Sequence, residues 1–128
     1  MKIEKLHHIA VICSNYEVSK RFYTKVLGFN VEQEVCRKER ESYKLDLSLN
    51  GMYLIELFSF PNPPKRASFP EASGLRHIAF AVKNLKEWKA YLESNDVQCQ
   101  EIRIDKFTGK RFFFFNDPDD LPIELYEV

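Results

Sequence analysis

Apolar residues fall in short runs and alternations along most of the chain, and only two stretches keep a helical spacing. Residues 5–13 (KLHHIAVIC) read as a strand, apolar or β-branched and followed by turn formers. Ser14-Asn15-Tyr16-Glu17 has the form of a capping box. Val18, Phe22 and Val26 then recur at four-residue steps, with Tyr23 beside them, as one face of a helix. Gly28 suits the position just past its end. Strands are expected at 29–37, 41–49 and 52–60. In the second of these, Tyr43, Leu45, Leu47 and Leu49 alternate with Lys44, Asp46 and Ser48. Asn50-Gly51 is a two-residue hairpin signal joining the last two strands.

The segment 61–74 (PNPPKRASFPEASG) is Pro-rich and lacks periodicity, so it reads as a linker. The same order then returns. A strand is expected at 75–82, and Asn84-Leu85-Lys86-Glu87 is an Asn-led cap. A helix follows through Leu85, Trp88 and Leu92. Strands are expected at 97–105, 111–116 and 121–127, with a turn over 116–120. The chain is thus α+β, one domain over 1–128. Its two βαβββ modules span 1–60 and 75–128.

The halves also match in wording. LHHIAV (6–11) returns as LRHIAF (75–80), and LIELFSF (54–60) as PIELYEV (122–128). His8 and His77 lie 69 positions apart, and Glu56 and Glu124 lie 68 apart, so the unusual residues keep step within one residue. Internal duplication explains this.

These four residues carry the candidate chemistry. Side chains two apart in a strand share a face. His8 therefore lies with Ala10 and Ile12, and His77 with Ala79 and Ala81. Glu56 lies with Leu54, Phe58 and Phe60, and Glu124 with Pro122 and Tyr126. The opposite faces, with Ile55, Leu57, Ile123 and Leu125, are wholly apolar. An unpaired carboxylate in such surroundings costs several kcal/mol or takes up a proton. Taken singly, a strand histidine is more often a core or surface residue, and a strand glutamate more often faces solvent. His7 reads as such an ordinary histidine, on the other side of the strand. The repetition of both pairs at matched offsets reverses the preference. Two imidazoles and two carboxylates satisfy one another around a divalent cation.

Composition narrows the partners. Lys plus Arg equals Asp plus Glu at 19 each, which argues against nucleic acid as the main partner. The apolar run at the N-terminus, Ile9 to Cys13, is too short for a membrane span, so no membrane partner is expected. Three cysteines with no CxxC suit a reducing cytoplasm.

The stretches HHIAV…FYTKVLGF, NGMYLIELF, GLRHIAFAV and NDPDDLPIELYE resemble the vicinal oxygen chelate superfamily of glyoxalases, bleomycin-resistance proteins and dioxygenases, over the whole chain. ELFSFP…GLRHIAF…TGKRFFFFNDPD looks like its YaeR-like glyoxalase branch. The resemblance implies two βαβββ modules forming a curved mixed sheet, with one divalent metal (Zn, Ni, Co or Mn) on its concave face. The ligands it implies are His8, Glu56, His77 and Glu124. It implies a small-molecule substrate and a homodimer, with the modules closing on each other or on a second chain. Relatives with two histidines and one glutamate are ring-cleaving dioxygenases and thiol-transferring resistance enzymes. A fourth ligand marks the proton-transfer branch, in which Glu124 would be the catalytic base and Glu56 its symmetry-related rival.

The usual glutathione-gripping positions are here Ile12 and Phe60, so efficient glutathione-dependent glyoxalase I activity is not expected. Ile12, Phe58 and Phe60 would line an apolar substrate site. Lys110, Arg111 and Arg66 are the candidates for polar recognition from loops. The leading expectation is a metal-dependent lyase or isomerase of a small α-oxygenated carbonyl compound. The alternatives are a metal-containing binding or resistance protein without catalysis, and, less favoured, a ring-cleaving dioxygenase.

Overall fold

The computed structural model describes residues 1–128. In chain order the elements are β1 (Ile9–Cys13), α1 (Tyr16–Arg21), β2 (Asn30–Arg37), β3 (Ser42–Leu49), β4 (Met52–Ser59), β5 (Ile78–Val82), α2 (Leu85–Ser94), β6 (Arg103–Ile104), β7 (Arg111–Asn116) and β8 (Pro122–Glu127). The chain divides into two compact units, Met1–Pro64 and Lys65–Val128. Each unit holds its own four-stranded mixed sheet, ordered β1-β4-β3-β2 in the first and β5-β8-β7-β6 in the second. In both, the first and last strands of the module run parallel side by side, and the remaining pairs are antiparallel. No helix is long and apolar enough to cross a membrane.

Strand alternation builds both cores. Val11, Cys13, Leu45, Leu47, Ile55 and Leu57 are buried in the first unit, and Ile78, Phe113, Phe115, Ile123 and Leu125 in the second. The apolar faces expected to be packed are packed. Burying each such side chain contributes roughly 1.5–3 kcal/mol. At Asn50 and Gly51, φ is +51° and +77°, the two left-handed residues that a tight hairpin of this kind requires.

Several boundaries move. β1 begins at Ile9 rather than residue 5, and the residues before it are exposed. Asn15, not Ser14, caps α1, its Oδ1 accepting from the Val18 amide at 3.1 Å. Val18 is exposed. The helix buries Tyr16 and Ser19, then passes into a π-helical turn over Phe22–Val26 that turns Phe22 and Tyr23 inward. The widened turn breaks the four-residue stepping, and Gly28 at φ +78° ends it. Asn84 sits in the left-handed region and caps nothing; its amide reaches Glu87 at 3.3 Å instead. The expected strand 97–105 shrinks to Arg103–Ile104 and an isolated bridge at Cys99. Gln98, Gln100 and Glu101 are poor strand formers at a sheet edge. A register shift after Leu47 interrupts the alternation of β3 where Ser48 is buried, and Tyr43, near the start of the strand, is exposed.

Candidate metal centre

Parallel pairing of the first and last strands sets Ala10 opposite Glu56, and His8 precedes that strand by one residue. The His8 Nε2 lies 3.1 Å from Glu56 Oε2. The second unit repeats this: Ala79 is opposite Glu124, and His77 Nε2 lies 3.2 Å from Glu124 Oε2. Both histidines stay about one-third exposed at the side chain, and both glutamates are about 15% exposed, so each pair has one wet and one dry partner. In neither unit does a third His, Cys, Asp or Glu join the pair to make a metal-holding group.

The surroundings of the two pairs differ. On β3, Asp46 is directly opposite Glu56, and Lys44 lies one pleat away on the same face. The Lys44 ammonium is 2.7 Å from Glu56 Oε1 and also bonds Asp46, which accepts from the Tyr53 hydroxyl at 3.2 Å. Burial works against the Lys44 charge, but the hydrogen bonds to Asp46 and Glu56 outweigh it and hold the ammonium above its ordinary value. Burial, then the charges of Asp46 and Glu56, push the Tyr53 hydroxyl up to about 12. Glu56 is therefore not the isolated carboxylate that its apolar neighbours in sequence imply. Its partner comes from the next strand, which no single-strand face analysis detects.

In the second unit the corresponding residues are Phe114, opposite Glu124, and Phe112. The Phe114 ring meets His77 edge-on, with centroids 5.1 Å apart. No lysine or arginine is paired with Glu124.

His7 also departs from expectation. It precedes the strand, so strand alternation does not govern it, and its Nδ1 lies 2.8 Å from His8 Nδ1. Both rings pack around Tyr53 at 5.3 Å.

The remaining candidates are dispersed. Ile12 is exposed on β1. Phe58 and Phe60 stack at 6.0 Å, and the Arg37 guanidinium lies over both, at 4.8 and 5.5 Å. Arginines on strands, Arg37 on β2 and Arg103 on β6, thus sit over aromatic rings of their own units. Reading each strand alone does not disclose this. Arg111 is gripped at both nitrogens by Glu127, with Nε 2.8 Å from Oε2, so its charge is already answered. Lys110 is exposed in the loop before β7.

The donor set can be tested against a divalent cation on these contacts. The His77–Glu124 pair fits half of such a site, with an imidazole nitrogen and a carboxylate adjacent and no competing cation. His8 fits equally, while Glu56 has one oxygen committed to Lys44.

A duplicated module that places a His–Glu pair across its first and last strands defines the class to which this chain corresponds. Residues 5–125 match the model of the Glyoxalase/Bleomycin resistance protein/Dioxygenase superfamily. The chain belongs to that superfamily. It is 58% identical to YaeR of Escherichia coli (strain K12), over 98% of this chain and 97% of that protein. It is 59% identical to YwkD of Bacillus subtilis (strain 168), over 99% of each. Among solved structures, a glyoxalase family protein from Enterococcus faecalis superposes with a TM-score of 0.91 at 45% identity, over 99% of this chain and all of that one.

Proposed function

We propose that this protein is a metal-dependent lyase or isomerase that moves a proton on a small α-oxygenated carbonyl compound. The observation carrying the reading is the repeated contact of a histidine Nε2 with a glutamate carboxylate at 3.1 and 3.2 Å. His8, His77 and Glu124, with Glu56, would hold one divalent ion. When bound, such an ion supplies Lewis-acid stabilisation of a developing negative charge on oxygen. The chain's own residues supply the rest. A carboxylate oxygen of Glu124 accepts the proton from the hydroxyl-bearing carbon beside the substrate carbonyl and returns it to the former carbonyl carbon, while the hydroxyl proton passes to the former carbonyl oxygen. Phe114 and the buried Pro122 limit water at that carboxylate, while the His77 ring is held edge-on by Phe114. Glu56 is the symmetry-related candidate, but Lys44 already occupies one of its oxygens.

The test is metal analysis of purified protein, followed by a panel of 2-oxoaldehydes with and without thiols. About one divalent ion per chain, lost in His77→Ala, is expected. Full metal retention in both His8→Ala and His77→Ala would refute the reading.

A second reading rests on the Lys44–Glu56 contact. If Lys44 keeps Glu56 from the ion, the donors reduce to His8, His77 and Glu124. That is the set of ring-cleaving and thiol-transferring relatives. Metal content unchanged in Glu56→Gln, together with thiol transfer or ring cleavage, would favour it. Saturable ligand binding with no turnover in the unaltered protein would instead point to a protein that holds a ligand without chemistry.

A further inference from the structure

We infer that the second module binds a small organic oxyanion, a carboxylate or a phosphate-type group, in a cavity walled by Arg66, Arg76 and Arg103. This anion would be one end of the substrate handled at the His77–Glu124 pair. The inference rests on reading that pair as the reaction centre, and it deepens that reading by naming the substrate class.

The cavity has a volume of about 580 Å³. That is within the range of small-molecule sites and larger than a simple anion needs. Three guanidinium groups line it against a single carboxylate, Asp120. No acidic side chain pairs with Arg66 or Arg103, and Arg76 reaches Glu71 only at 3.7 Å. Clustered like charges without counter-charge repel one another, and an oxyanion relieves that repulsion.

The arginines are held in place. The Arg103 guanidinium lies over Phe112 and Phe114, at 5.0 and 5.7 Å, and its Nη2 donates to Gln100 Oε1 at 3.1 Å. Arg66 donates through Nη2 to the carbonyls of Leu75 and Arg76. Its Nε–H is buried and finds no acceptor in the protein. A buried donor without a partner costs about 1–3 kcal/mol. The Nε itself is closed to solvent, so an anion in the cavity would meet Arg66 through the charge of its guanidinium. Fixed guanidiniums also lose little freedom when they bind an oxyanion.

One wall joins the cavity to the pair. Phe114 and Pro122 line the cavity, while the Phe114 ring touches His77 and its backbone pairs with Glu124. A ligand anchored by its anionic end would thus lie against the same aromatic ring as the reacting groups. The module-one counterpart of Phe114 is Asp46, so this wall is not duplicated.

The experiment titrates the full-length, chelator-treated protein with inorganic phosphate and, separately, with glycolate at constant ionic strength. Backbone amide shifts are followed by NMR. Saturable shifts at residues 66–76, 100–103 and 114–116 are expected with at least one of the two. Tighter phosphate binding would indicate a phosphorylated substrate, and tighter glycolate binding a carboxylate. Arg103→Gln should weaken binding about tenfold or more, since it removes a charge-assisted contact. Lys86→Gln, an exposed position on α2, should change nothing. Arg66→Gln loosens the linker and could impair folding, so Arg103→Gln carries the test. No saturable shift with either anion, or equal affinity in Arg103→Gln, would overturn the proposal. So would binding that appears only after Zn²⁺ is added, because the anion would then be on the metal. Because the protein is metal-free, binding there speaks for the cavity even if metal analysis fails.

Discussion

The two modules carry one framework and two different chemistries. Both place a histidine Nε2 against a glutamate across their first and last strands. Around Glu56 the neighbouring strand supplies Lys44 and Asp46, whereas around Glu124 it supplies Phe112 and Phe114. Strand pairing therefore fixes which residues meet, and the adjacent strand decides what the meeting is worth. One carboxylate sits in an ion network, the other against an aromatic ring.

The largest expected effect separates the two glutamates. Glu124→Gln should lower turnover by roughly 10²–10⁴-fold while metal content holds, and Glu56→Gln should lower it less, read by steady-state kinetics beside metal analysis. The reverse order would assign the base to the module with the lysine.

The shared framework can be probed through Leu57→Ala and Leu125→Ala, matched buried positions on the faces opposite the glutamates. Each should cost about 2–5 kcal/mol in urea unfolding, with similar losses in the two modules. A large inequality would mean that the equivalence of the cores is only apparent.

Lys44→Met acts on the difference itself. In chelator it should destabilise the protein by roughly 1–2 kcal/mol, between the ranges for exposed and buried ion pairs. With metal restored, part of that loss should return as Glu56 becomes available to the ion. Stability unaffected by metal in this variant would separate Glu56 from the centre.

The smallest effect is one of pH. Hydrogen bonds from Lys20 and then Tyr16 hold Glu34 below its ordinary value, and Arg111 does the same for Glu127. A carboxylate depressed in the folded state contributes stability that is complete above its unfolded value, here 4.5, and is lost as pH falls through the folded one. Lys20→Met and Arg111→Gln should each flatten the acid limb of the stability curve slightly. A steeper limb would contradict the sign.

Much of this was legible in the sequence because β-periodicity and repetition are local. The faces of β4 and β8, the Asn50-Gly51 turn and the matched positions of His8, His77, Glu56 and Glu124 follow from alternation and offsets, while their pairing followed only from the family resemblance. What was not legible depends on neighbours distant in sequence or on helix phase. Lys44 reaches Glu56 across a strand boundary. Arg103 joins Arg66 and Arg76 only through the fold of the second module. The π-helical turn after Arg21 moves Tyr23 inward and leaves Val18 outside, which no fixed four-residue step anticipates. His7 escaped because its strand begins at Ile9, later than the expected start at residue 5, so strand alternation does not reach it.

The parallel pairing of first and last strands has a consequence for the order of assembly. His8 and Glu56 are 48 residues apart in the chain, and His77 and Glu124 are 47 apart, so each pair spans nearly a whole module. Closing loops of that length is entropically costly, and contacts of such high separation form late in folding. Neither pair can exist before its intervening strands and helix are in place. A ligand that needs both members of a pair therefore cannot template the nascent chain. It acts as a lock applied after closure, adding about 2.7 kcal/mol of stability at a concentration one hundred times its Kd. Its effect should fall on the rate of unfolding and leave the rate of folding almost untouched.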